Sequence, residues 1–348
     1  MTTPAIKVLT LDGGGIRGIL PCAILSEIEH RLGKPISSLF DVIAGTSTGG
    51  IIACGLNVPH PDQPGRPKFS AADFGALYEK QGARIFKKQG GLLSGMNKLF
   101  EESFTQEGLE ELLKEYFGDT ELRQTTTELL ITSYDIERRM PFYFLSRLAK
   151  TNPDKENFLL RDIARSTSAA PTYFEPNSLP WSGGDKLALV DGGVFANNPS
   201  MLAYTEAVEL LRSRKQQAPA AESELEAFSA PVSSDRSDVF MLSLGTGRVL
   251  KPYRYEDAKS WGMTQWLRPI LDILMQGVSE TVDYQMNYVL PPGPDGTRHY
   301  IRINPSIPEE NAEMSDVSDK NIRGLKAIAA RAIEENEELI AEACRILG

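Results

Sequence analysis

Cysteine is scarce: the chain holds three, Cys22, Cys54 and Cys344, far apart and never in CxxC spacing. That excludes a disulfide framework and a paired-cysteine zinc site, and it suits a reducing compartment. Imidazole is limited to His30, His60 and His299. Basic charge is in deficit, with 37 Lys and Arg against 47 Asp and Glu for a formal net charge of −10. Such a chain repels nucleic acid and does not adhere to anionic lipid by electrostatics alone, so no nucleic-acid polymer is expected as a partner. No uninterrupted apolar run is long enough to span a bilayer, and the start "MTTPAIKVLTL" lacks the features of a secretory signal. The expectation is a soluble, cytoplasmic protein.

What is present is enough apolar material for a large core. With 348 residues and 41% hydrophobic content, a single domain over 1–348 is expected. Short apolar β-branched runs alternate with helical patterns. Strands are predicted at 6–11 ("IKVLTL"), 40–45 ("FDVIAG"), 128–134, 141–145, 187–191, 238–244 and 299–303. A helix is predicted over 18–33, with Pro21 in its first turn and Gly33 as its stop, and another over "TSTGGIIACGL". Residues 319–347 read as one long amphipathic helix or two. The alternation predicts an α/β/α sandwich around a largely parallel central sheet, with ligands beyond the carboxyl ends of its strands. Residues 212–237, rich in Ala, Ser, Glu and Pro, read as a flexible surface loop.

Three stretches can carry chemistry. "GGGIRG" (13–18) satisfies GxGxxG between a strand and a helix, which raises dinucleotide binding. That reading needs an acidic residue at the end of the second strand, where this chain has "GTSTGG". A tight turn with no ligand is the bland alternative, although one glycine suffices for a turn. "GTSTG" (45–49) is a G-x-S-x-G between a strand and a helix. Gly45 and Gly49 clear space for a sharp turn that lifts Ser47 above the sheet as a nucleophile candidate. "LVDGGVFANNP" (189–199) delivers Asp191 at a strand end, with Gly192 and Gly193 behind it, as the base a serine needs or as a turn aspartate. Arg17 reads either as a surface helix residue or as support for the glycine loop. Between Ser260 and Gly277, Trp261, Met263, Trp266, Leu267, Ile270, Leu271 and Leu274 form a stripe that suits a core helix or an interfacial one.

Together the stretches resemble the patatin-like lipid acyl hydrolases. That family pairs an Asp-Gly-Gly-Gly-x-Arg-Gly loop with Gly-x-Ser-x-Gly and Asp-Gly-Gly, found here at 12–18, 45–49 and 191–193. "FDVIAGTSTGG", "ITSYDI", "STSAAPTYFEP" and "LSLGTG" extend the resemblance from about residue 6 to about residue 330. It implies a patatin-like three-layer sandwich, Ser47 as nucleophile, Asp191 as its direct partner, Gly13, Gly14 and Gly15 as oxyanion donors, and Arg17 bracing their loop. It further implies a membrane phospholipid or galactolipid substrate, transient contact with a membrane surface and no metal or other cofactor. Some bacterial relatives are antiphage effectors, so a cyclic-nucleotide activator and a homo-oligomer are among the expected partners. Two other readings stand beside this one. One is an α/β-hydrolase with a Ser47, Asp191, His299 triad, and the other a catalytically idle patatin-fold protein for binding or storage.

Overall fold

The computed structural model describes residues 4–87, 104–217 and 238–348. Eight strands form one mixed sheet: β1 (Ile6–Leu11), β2 (Val42–Gly45), β3 (Glu128–Asp135), β4 (Met140–Leu145), β5 (Asn177–Pro180), β6 (Lys186–Asp191), β7 (Val239–Leu244) and β8 (Tyr300–Ile303). Their spatial order is β5-β6-β3-β2-β1-β7-β8, with β4 also paired to β3. The stretch from β3 to β8 is parallel throughout, whereas β4 and β6 each run antiparallel to β3. The fold is α/β with a central sheet that is mostly parallel, as the sequence predicts.

Strand β1 shows why both faces are covered. Ile6 and Val8 point into one buried cluster, and Leu9 and Leu11 into the other, so the strand reads as a continuous apolar run. On the Leu9 side pack α1 (Ile19–Leu32), α2 (Thr48–Gly55), α3 (Ala71–Ile85), α4 (Gln106–Phe117) and α5 (Leu160–Thr167). The Ile6 side is covered by α6 (Ser200–Gln217) and α7 (Met263–Val289). Two C-terminal helices, α8 (Asp319–Glu335) and α9 (Glu337–Leu347), close the first layer against α1, divided at Asn336. Helix α1 stops where predicted, with Gly33 at φ 63° and its N–H donating to the Glu29 carbonyl at 2.8 Å.

Two predicted boundaries shift. Residues 15–18 form a separate 3₁₀ turn ahead of α1. Of the loop predicted at 212–237, residues 212–217 are the last turns of α6, while 218–237 lie outside the described residues. Among the described residues, no helix is long and apolar enough to cross a membrane.

Candidate active site

The strand register defines one edge of the sheet. Gly45, Leu11, Leu244 and Ile303 end β2, β1, β7 and β8 in one continuous row, which Ile131 continues in the middle of the longer strand β3. Ser47 follows that row by two residues. Strand β6 arrives from the opposite direction, antiparallel to β3, and ends with Asp191 opposite Ser133. Two strand ends running toward each other bring Ser47 and Asp191 together.

Ser47 occupies a sharp turn, at φ 55° and ψ −123°, a conformation an L residue adopts only when its surroundings enforce it. The enforcement is visible in the bonds around it. Thr46 N–H donates to the Leu11 carbonyl at 3.2 Å, and Gly49 N–H to the Thr46 carbonyl at 2.9 Å. Ser47 N–H donates to Thr167 Oγ1 at 2.9 Å, and the Thr46 hydroxyl donates to the Ala196 carbonyl at 2.7 Å. Gly45 and Gly49 are required by close backbone approach: a Cβ on the first would meet the Gly49 carbonyl, and on the second the Leu11 carbonyl. The side chain of Ser47 is thereby left to the site, with α2 starting at the next residue and its positive dipole end directed there.

Asp191 is buried, and one carboxylate oxygen accepts the Gly193 N–H at 2.7 Å. Burial raises its carboxyl to about 7, while hydrogen bonding from the Ser47 hydroxyl and the Gly193 N–H pulls the other way. The folded chain therefore holds a proton that the unfolded chain, near 3.8, has released. Folding stability is undiminished by this group below pH 4 and falls as pH rises through 7. Asp191→Asn removes the titration and is expected to melt above wild type at pH 8, with the gap closing toward pH 4 in a thermal melt series.

The glycine loop lies against Ser47, since a Cβ on Gly13 would sit 3.1 Å from Ser47 Cβ and 2.5 Å from Asn197 Oδ1. Its three amides are not equivalent. Gly13 N–H donates to the Asn197 carbonyl at 3.1 Å, which corrects the expectation that all three glycines face a reacting oxygen. Among the described residues, no acceptor engages the N–H of Gly14 or Gly15. The Thr246 hydroxyl donates to the Gly13 carbonyl at 2.5 Å, and Gly15 sits at φ 59°, where a side chain would be strained and would collide with Met314. Arg17 is not a surface residue. It is buried in the 3₁₀ turn, its Nε donates to the Gly14 carbonyl at 3.2 Å, and burial lowers its pKa below the ordinary value.

The sequence reading missed several residues that shape this site. Asn197 is buried with its Nδ2 donating to Ser279 Oγ at 3.1 Å, and its Oδ1, near Gly13 and Gly193, has no hydrogen-bond partner among the described residues. Arg302 makes a buried two-pronged pair with Asp12, at 3.2 and 2.6 Å, and also donates to Ser243 Oγ at 2.7 Å. Burial opposes the Arg302 charge, but Asp12 outweighs it and holds the guanidinium above its ordinary range. A signal existed for both: Asn197 closes the Asp-Gly-Gly stretch, and Arg302 is the lone charge in "YIRI".

The histidines lie elsewhere. His60 Nδ1 accepts the Asp62 N–H in a loop, and His30 sits in the last turn of α1. His299 precedes β8, four residues before the edge row and about 13 Å back along the strand. A triad of Ser47, Asp191 and His299 is therefore not favoured, because a parallel strand starts at the edge opposite to the one where Ser47 stands. Among the described residues, no group of His, Cys, Asp and Glu is arranged to hold a metal ion.

Known proteins resemble this chain over most of its length. The family model described as patatin-like phospholipase matches residues 9–204. Patatin-like protein 1 of Oryza sativa subsp. indica is 34% identical over 95% of this chain and 81% of its own. Patatin-like protein 1 of Arabidopsis thaliana is 32% identical over 94% of this chain and 81% of its own. A protein of Solanum tuberosum named probable inactive patatin-3-Kuras 1 is 34% identical over 88% of this chain and 79% of its own.

Proposed function

The chain belongs to the patatin-like phospholipase family, and from that premise we propose that it is a lipid acyl hydrolase working through Ser47 and Asp191. The observation that carries the proposal is a serine held at φ 55° at one strand end, met by a buried carboxylate at the end of a strand running the opposite way. In this mechanism the Asp191 carboxylate takes the hydroxyl proton as Ser47 Oγ bonds to the ester carbonyl carbon. The carbonyl oxygen becomes an oxyanion, and the N–H groups of Gly14 and Gly15 are its donors, each worth about 3 kcal/mol by analogy with single-donor deletions. Collapse expels the alcohol, which leaves with the proton from Asp191. Water then attacks the acyl-serine, gives its proton to Asp191, and the fatty acid departs as Ser47 recovers its hydrogen.

An ordinary aspartate is too weak a base for a serine at neutral pH. Its displacement to about 7 brings the Asp191 carboxyl close to the working range of a general base. A catalytically idle protein is the competing reading, raised by the name of the potato relative, and its mark would be a damaged site. Here Ser47, Asp191 and the glycine loop are all in place. Mass spectrometry of products from a defined phospholipid and galactolipid panel tests the choice, with Ser47→Ala as control. Release of fatty acid by wild type alone is expected. Absence of release from every ester, together with no fluorophosphonate adduct on Ser47, would favour the idle reading.

A further inference from the structure

Helix α7 presents an apolar surface on the side where a surface helix is normally polar. Its inner stripe is accounted for: Ser279 is buried against Asn197, Met286 is buried beneath α6, and Val282 packs beside it. The outer stripe of the N-terminal half consists of Met263, Trp266, Ile270, Ile273 and Leu274. Met263 is 91% exposed and the other four are exposed by 38% to 49%. An apolar stripe on the outer face of a surface helix marks a surface that takes a partner.

Nearby side chains extend the patch. Trp261 stacks edge-on against both Trp266 and Tyr253, with ring centroids 5.0 and 5.6 Å apart. Leu250 and Tyr255 are exposed beside them in sequence. Between Met263 and Gly277 only Arg268 and Asp272 carry charge, and Asp272 accepts the Tyr253 hydroxyl at 2.9 Å.

We propose that the N-terminal half of α7 docks this protein on the surface of a zwitterionic lipid bilayer and delivers lipid to the site beneath it. Continuity with the site is the first argument. Met275, next after Leu274 on the same helix, has its methyl group 3.4 Å from where a Cβ on Gly193 would lie, and Ser279 one turn later holds Asn197. The second is chemistry. Tryptophan and tyrosine have apolar bodies and polar edges, which suit the headgroup boundary, and flanking aliphatic side chains suit the acyl region just below. The third is charge. A face with few charges, on a chain of net −10, matches a surface without net charge and is repelled by an anionic one.

The delivery half rests on the lipid-ester reading of Ser47, whereas the docking half does not, so the two are separable. Docking is measured by flotation of Ser47→Ala protein with phosphatidylcholine vesicles, in which no turnover occurs. The pair Ile270→Glu and Leu274→Glu is expected to lower vesicle binding by about tenfold or more, since each removes an apolar side chain from the contact. With Ser47 intact, the same pair should lose hydrolysis of vesicle lipid and keep that of a short soluble ester. Trp266→Ala with Ile270→Ser repeats the measurement should the glutamates impair folding. Vesicle binding undiminished in either pair, or absent from the parent, would overturn the proposal. So would a dimer in sedimentation equilibrium that the glutamate pair splits, because a second copy would then be the occupant. A wild type inactive on every ester would remove the proposed activity and leave the flotation result to decide docking alone.

Discussion

Ser47→Ala, Asp191→Ala and the double variant are expected to fall to one common residual rate, on the order of 10³–10⁶ below wild type in kcat. In the proposed dyad nucleophile and base act as a unit, so removing the second after the first should cost little more. What remains comes from the glycine amides and from binding. A fluorophosphonate should label Ser47 in wild type and react slowly in Asp191→Ala, whose serine has lost its proton acceptor. His299→Gln should stay near wild type, since His299 stands at the opposite edge of the sheet. The pH dependence has a defined sign. Only the ionised Asp191 carboxylate accepts a proton, and its carboxyl is raised to about 7. For a soluble ester, kcat/KM should therefore be flat above pH 8 and fall about tenfold per unit below the carboxyl's pKa. Near-normal hydrolysis by Asp191→Ala, or an acid limb displaced to pH 4, would sink the dyad.

Much of the sheet was legible because its strands are buried on both faces. "IKVLTL", "DVIAG" and "DVFMLSL" are short apolar runs ended by glycine or a turn, and each coincides with a strand or nearly so. Strand β5 was not legible: "NSLP" contains one buried residue, Leu179, and it is a strand only because β6 lies beside it. The site was legible in part. Gly45, Ser47 and Gly49 announce a sharp turn locally, because φ 55° at Ser47 and the Leu11 carbonyl against Gly49 demand small neighbours. How Asp191 reaches Ser47 was not, since it depends on β6 running against β3, a long-range pairing that no local pattern encodes.

Helix α7 shows the same limit from the other side. Apolar periodicity predicts that Trp266, Ile270 and Leu274 share a face, and they do, but burial of that face is the usual outcome for such a pattern. Here the buried positions are Ser279 and Met286, one of them polar, with Met275 half-buried toward Gly193, and the apolar stripe looks outward. Hydropathy ranks side chains by solubility and does not say which face of a helix the sheet will take. Gly13 is a related case. A run of three glycines signals available amides, yet the first amide is engaged by the carbonyl of Asn197, a residue 184 positions away.

Arg302→Met is expected to destabilise the fold by about 3–5 kcal/mol, measured by denaturant unfolding, because it leaves the Asp12 carboxylate buried without its counter-charge. Asp12 and Arg302 are both almost fully buried, and their two hydrogen bonds at 3.2 and 2.6 Å satisfy both carboxylate oxygens. Arg302→Lys keeps the charge but not the two-pronged fork, so an intermediate loss follows. Adding Asp12→Asn to Arg302→Met removes the stranded charge and should restore a large part of the stability. Activity should not follow. Asp12 immediately precedes Gly13, and its N–H donates to the Leu244 carbonyl at 3.0 Å, so the ion pair sets where the glycine loop starts. In the proposed mechanism Arg302 is a positioning residue, acting through Asp12 on the amides of Gly14 and Gly15. The double variant should thus unfold near the wild-type midpoint yet react with a fluorophosphonate more slowly, because its oxyanion donors have lost their fixed origin. Wild-type labelling rates in a restored double variant would confine the pair to stability alone.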